Sequence, residues 1–259
     1  LAKPANDRLL DVRELRKSFG GISALWDVTF RIPKGTILSM IGPNGAGKTT
    51  FINVVSGIHT RDSGEIRFEG ERIDGMPAHR VAAKGLARTF QLEELFGSLS
   101  VLENVMVGCH TQSCREMLAC GLSLPSAKRE ERTIRENAME CLEMVGLERK
   151  ANEAIGRLPL GERKLVGIAR ALGMKPRLLM LDEPAGGLAA HEADKLAALI
   201  HRLVEKGLTL FIVEHNMPFV MSLSEWIVVL DAGSKIAEGR PEDVRANAKV
   251  IRAYLGEDN

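Results

Sequence analysis

The run Gly42-Pro43-Asn44-Gly45-Ala46-Gly47-Lys48-Thr49-Thr50 has the residue types and spacing of a phosphate-binding loop. Its glycines let backbone amides turn inward around an anion, and a helix beginning at its end adds the positive pole of a dipole. Lys48 would reach the β and γ phosphates of a nucleoside triphosphate, and the Thr49 hydroxyl would sit on Mg2+. A second chemistry-bearing pair, Asp182 and Glu183, closes the apolar run 178–181. Strand-end acids are commonly no more than solvated charges, but ligand sites of α/β sheets gather at the carboxyl ends of strands. Beside a phosphate loop, Asp182 would hold Mg2+ through water, and Glu183 would orient or deprotonate an attacking water. His215 follows a further apolar run, 208–213, where an imidazole could hydrogen-bond the γ-phosphate and relay the geometry of Glu183.

The elements that must position these groups follow from periodicity. Short strand-like runs at 9–15, 24–32 and 36–41 are separated by Gly20-Gly21 and by Pro33-Lys34-Gly35. The phosphate loop then enters a helical pattern at 49–56, which completes the strand–loop–helix context that the motif requires. Further on, 64–70 and 85–90 read as strands and 77–84 as a helix. From about 98 to 146 the pattern is helical, broken at Pro125, and 126–145 is an amphipathic surface helix. Alternation then resumes with helix 162–173, strand 178–182, helix 191–206, strand 208–213 and a hairpin at 226–237. The chain reads as an α/β nucleotide-binding lobe interrupted by a mostly helical insertion.

Composition narrows the class. A hydrophobic content of 45% with 27% charged residues is ordinary for a globular chain of 259 residues. Thirty-five lysines and arginines against 34 acids leave a net charge of +1, and aromatics make up only 4%. Neither a basic field nor a base-stacking platform argues for nucleic acid. No apolar run approaches the ~18 residues of a membrane helix, and the first residues lack the apolar core of a secretory signal. A cytoplasmic chain, or one held peripherally at the inner face of the membrane by other subunits, is the expectation. Cys109, Cys114, Cys120 and Cys141 fit reduced, packing thiols better than a zinc site, since no paired CxxC occurs.

Taken in order along the chain, these motifs resemble the ATP-binding subunits of ABC transporters, over essentially the whole length. The likeness is greatest to the subunits that drive branched-chain amino acid importers. Lys17-Ser18-Phe19-Gly20-Gly21 resembles the adenine-stacking loop, with Phe19 in the aromatic position, although Phe19 could also be a packing residue at a strand end. Ala87-Arg88-Thr89-Phe90-Gln91 is similar to the Q-loop, whose glutamine (here Gln91) links Mg2+ and water to the transmembrane partner. Val213-Glu214-His215 resembles the switch-histidine segment, and the tail, 240–257, resembles that of the importer branch. The resemblance implies an α/β P-loop NTPase lobe with an antiparallel β subdomain and an inserted α-helical subdomain. The lobe would span approximately 1–91 and 164–259, and the helical part approximately 92–163, within a single ATPase domain. It also implies ATP with Mg2+, the latter held by Thr49, Gln91 and Asp182, and catalytic roles for Glu183, His215 and Gln91. The implied partners are a second ATP-binding subunit, permease subunits docked near Gln91 and residues 92–104, and indirectly a substrate-binding protein. Branched-chain or other amino acids would be the cargo.

Two segments depart from the family pattern. The signature loop, usually Leu-Ser-Gly-Gly-Gln and serving the phosphate bound by the partner chain, is here Leu158-Pro159-Leu160-Gly161-Glu162. Pro159 supplies neither hydroxyl nor amide, and Leu160 adds a side chain where a glycine is expected. Gly161 remains, and the helix dipole can still point at the phosphate. Ala189 stands where the family's D-loop usually has Asp or Asn. These departures keep a second possibility open, an ATP-responsive subunit with weak turnover of its own that is paired with a sister ATPase. A lipid or lipopolysaccharide exporter ATPase shares much of the same pattern.

Overall fold

Continuous apolar runs such as 37–41 and 209–213 can be buried only if both faces of their sheet are covered, and the fold does this. The computed structural model describes residues 8–89, 95–110 and 125–255. In chain order it contains β1 (Arg8–Phe19), β2 (Ile22–Pro33), β3 (Ile37–Ile41), α1 (Lys48–Val55), β4 (Ser63–Phe68), β5 (Glu71–Arg72), α2 (Ala78–Ala83) and β6 (Leu86–Arg88). Next come α3 (Val101–Cys109), α4 (Pro125–Val145) and α5 (Leu160–Leu172). The chain continues with β7 (Leu178–Asp182), α6 (Ala190–Glu205), β8 (Thr209–Val213), α7 (Met217–Leu223), β9 (Trp226–Asp231), β10 (Ser234–Gly239), α8 (Pro241–Arg245) and α9 (Ala248–Leu255). Two compact units result, one of residues 1–88 with 177–259 and one of residues 89–176.

The first unit holds two sheets. One is antiparallel in the order β2-β1-β4-β5, and the other runs β10-β9-β3-β8-β7-β6. In the second sheet β9, β3, β8, β7 and β6 pair in parallel, and β10 closes one edge antiparallel. Helix α1 is enclosed between the sheets. Phe51 on α1 packs 5.1 Å from Phe30 on β2 and 5.5 Å from Phe211 on β8, ring centre to ring centre. On the opposite face of the parallel sheet, Ile41, Ile227 and Val229 pack against Val220 of α7, Val244 of α8 and Val250 of α9. These three short helices, absent from the sequence expectation, cover the face that β3 would otherwise expose.

In the second unit α3, α4 and α5 pack on one another. A capping box starts α3: the Ser100 Oγ accepts from the Glu103 amide, and the Glu103 carboxylate accepts from the Ser100 amide at 2.7 Å. Fully buried Asn104 accepts from the Phe96 amide and donates to the carbonyls of Phe96 and Ser100, fixing the turn before the helix. Gly108 lets α3 approach α5 closely, since a Cβ there would lie 1.9 Å from the Arg170 carbonyl oxygen. Cys109 and Cys141 are buried free thiols. Helix α5 belongs entirely to this unit, past the residue at which the sequence suggested the helical segment would end. Gln91, Phe90, residues 92–94, Cys114, Cys120 and the tail beyond 255 lie outside the described residues.

Candidate active site

Strand register brings the candidate residues to one edge of the parallel sheet. Met40 of β3 pairs with Val213 of β8, and Val213 pairs with Asp182 of β7, so these strands end level with one another. The phosphate loop, Asp182-Glu183 and Glu214-His215 therefore leave the sheet side by side, as ligand-binding segments do in parallel α/β folds.

The loop after Ile41 turns directly into α1, whose first residue is Lys48. Gly47 has a left-handed backbone (φ 97°), and a Cβ there would fall 2.4 Å from the Ala24 carbonyl oxygen, so no other residue fits. Lys48 Nζ donates to the carbonyls of Gly42 and Pro43 at 2.8 and 2.9 Å. Burial pulls its pKa down, against the opposing pull of the Glu183 and Asp182 carboxylates. The ammonium is thus held by two carbonyls in a site where phosphate oxygens would be better partners. Ala46 is buried, Pro43 and Thr50 are half-buried, and Asn44, Gly45 and Thr49 are exposed at the mouth of the loop.

Asp182 carries a buried carboxyl, and burial pushes its pKa up while Arg88 opposes that rise. Arg88 Nη2 donates to Asp182 Oδ2 at 3.0 Å. Glu183, next in the chain, is half-exposed and has a positive φ of 47°, a conformation that costs a non-glycine residue about 1–3 kcal/mol. Its amide donates to the Val213 carbonyl at 2.8 Å, which holds the strained residue in place. Its Oε1 lies 3.6 Å from His215 Nδ1. The exposed carboxylate and imidazole are therefore neighbours at the strand ends, at a separation somewhat longer than a hydrogen bond.

Glu214 was named in the sequence only as part of the histidine segment, yet it organises the edge. It is fully buried, and its carboxylate accepts from the amides of Ala185 at 2.7 Å, His215 at 2.9 Å and Asn216 at 3.1 Å. One side chain thus fixes both the loop after Glu183 and the backbone of His215. Tyr254 of α9 was also missed; its hydroxyl meets the Gly42 amide, and burial pushes the phenol up to about 12 against that hydrogen bond. Phe19 is exposed at the end of β1, edge-on to His59 at 5.4 Å. Asp62 anchors its loop by accepting from the Ser18 amide and from Lys17. Gly161 is buried in the first turn of α5, in the other unit, where Pro159 caps the helix without a side-chain hydrogen bond.

Known proteins match this arrangement. The family model described as "ABC transporter" matches residues 25–186, and that of the branched-chain amino acid ATP-binding cassette transporter matches residues 234–259. The chain belongs to the ABC transporter family. It is 43% identical to a high-affinity branched-chain amino acid transport ATP-binding protein, BraF, of Pseudomonas aeruginosa, over 96% of this chain and 98% of that one. Among solved structures, an ATP-binding cassette of an ABC transporter in its ADP conformation superposes with a TM-score of 0.85 at 32% identity, over 96% of this chain and 99% of that one. A dimeric bacterial ABC transporter cassette superposes with a TM-score of 0.76 at 26% identity, over 90% of this chain and 98% of that one. This cassette is accordingly a P-loop ATPase with an antiparallel β subdomain and a helical subdomain. Among its described residues no helix is long and apolar enough to cross a membrane.

The residues present fit a divalent cation. Asp182 supplies a hard carboxylate oxygen and Thr49 an exposed hydroxyl at the start of α1, the donor types that Mg2+ prefers. Among the described residues no three His, Cys, Asp or Glu side chains are arranged to hold a metal ion by themselves, so phosphate oxygens and water would have to complete the shell.

Proposed function

We propose that this cassette binds ATP with Mg2+ through Gly42–Thr50 and Asp182, hydrolyses it with Glu183 as base, and so energises a membrane importer for branched-chain or other amino acids. The observation that carries the reading is the pairing of Glu183 with His215, 3.6 Å apart, on the edge from which the phosphate loop also leaves. Loop amides and Lys48 would hold the β and γ phosphates, and Thr49 and Asp182 would hold Mg2+. When bound, the cation supplies charge neutralisation to the phosphates. Glu183 takes a proton from the attacking water, and His215 steadies that carboxylate and contacts the γ-phosphate. Phe19 offers its exposed ring to the base. Gln91 would report occupancy to the permease, and Gly161, at the start of α5, would face the phosphate of a second cassette. Docking at the inner face of the membrane would come through the permease subunits. Cargo selection would belong to these subunits and a substrate-binding protein.

Glu183→Gln tests the assignment. The expected outcome is a fall in kcat of at least ~100-fold with ATP binding, followed by a fluorescent nucleotide, retained. Native-rate turnover in this variant would remove Glu183 as the base. Pro159, Leu160 and Ala189 favour a second reading, in which this cassette turns over well only beside a sister ATPase. ATP binding without turnover by the purified chain, restored by adding the sister, would decide for it.

A further inference from the structure

One buried ion pair at the active edge has no place in the mechanism above. Arg88 ends β6, whose register places it opposite Met180 on β7, and its guanidinium reaches along that strand to the carboxylate of its last residue, Asp182. Nη2 lies 3.0 Å from Asp182 Oδ2, and Nη1 donates to Asn53 Oδ1 on α1. The Arg88 and Asp182 side chains are 10% and 6% exposed. A single planar group therefore ties the strand that presents Asp182 to the helix that begins with Lys48 and Thr49. Lysine could not make that span, because its ammonium has no second donor arm in a fixed plane. Arg88 is also the last residue of its unit before the chain leaves for Gln91.

We propose that Arg88 is a positioning residue for the metal side of the site: its guanidinium is the resident counter-charge of Asp182, and it hands that role to Mg2+ when nucleotide binds. A carboxylate this buried is strongly destabilising without a positive partner, whereas with two candidate partners the loss of either is partly made good by the other. The pair therefore matters most when no cation is present, and its contribution shrinks as Mg2+ arrives with ATP. The inference rests on the reading of Asp182 as a metal-side residue.

A double-mutant cycle of Arg88→Met and Asp182→Asn, read by thermal unfolding, tests it in two conditions: ATP with EDTA, and ATP with Mg2+. In EDTA, Arg88→Met is expected to lower Tm by about 10 °C, and the double variant should recover most of that loss. With Mg2+ the deficit of Arg88→Met should shrink to less than half. Arg88→Lys, which keeps the charge, should show the native Mg2+ increment and also serves if Arg88→Met is insoluble. An equal deficit with and without Mg2+, or a native increment lost in Arg88→Lys, would overturn the counter-charge role. A native protein whose Tm in ATP is indifferent to Mg2+ would instead sink the metal reading of Asp182.

Discussion

Glu214 shows how much of an active edge can hang on a residue that does no chemistry. Its buried carboxylate accepts three backbone amides, from Ala185, His215 and Asn216. Glu214→Ala would leave those donors without an acceptor, at about 1–3 kcal/mol for each that water cannot reach. Glu214→Gln keeps one oxygen but turns an amide toward at least one of the donors. The expected outcome is a lower denaturation midpoint for both variants, larger for alanine. In Glu214→Gln, kcat should also fall with little change in KM, because the Glu183–His215 geometry loosens while the phosphate loop is untouched. A normal kcat in a destabilised Glu214→Gln would show that the residue serves folding alone. Glu214 was hard to read in the sequence because an acid after an apolar strand is usually solvated. Only the side-by-side ending of β7 and β8 turns it inward. Asp182, Glu183, His215 and Lys48 were legible because motif spacing fixes their elements; Arg88 was not, since its partners Asn53 and Asp182 are joined to it only by strand order.

Among the elements, those with a local signal were readable. Ser100-Val101-Leu102-Glu103 spells a capping box, and α3 starts on it. Helix α6 followed from its apolar spacing, although Ala189 supplies only half of a cap: Glu192 accepts from its amide at 2.9 Å, and no side-chain oxygen returns the bond. Helices α7, α8 and α9 are too short to show a period above the noise of their flanks, and packing on β3 and β9 stabilises them. The element with most consequence is α5. Its first turn carries Glu162, paired with Lys150 at 2.6 Å, and it is capped by a proline whose side chain accepts nothing. Pro159→Ser would supply the missing N-cap oxygen, worth about 1 kcal/mol to the helix. If Gly161 and the dipole already serve the phosphate, turnover should rise less than ~10-fold, within one hydrogen bond's worth. A rise of two decades, measured as kcat at saturating ATP, would mean that the native signature segment is impaired.

At the scale of the whole chain, the phosphate loop and the signature segment belong to different units, and on the proposed reading each chain lends its signature to the other's nucleotide. The phosphate loop, Asp182, Glu183 and His215 share one sheet edge, while Gly161 starts a helix of the second unit. If hydrolysis requires both, the rate per chain must depend on how often two chains meet. Specific ATPase activity of the purified protein is therefore expected to rise with protein concentration and level off as the dimer saturates. On the proposed roles, Glu183→Gln should retain ATP and shift in gel filtration from one chain to two when ATP is added, and Lys48→Ala, deprived of its phosphate ligand, should not. Activity proportional to protein at every concentration, with Glu183→Gln monomeric in ATP, would place a complete site within one chain. A rise only on addition of a sister cassette would keep the two-chain site and replace one of its halves.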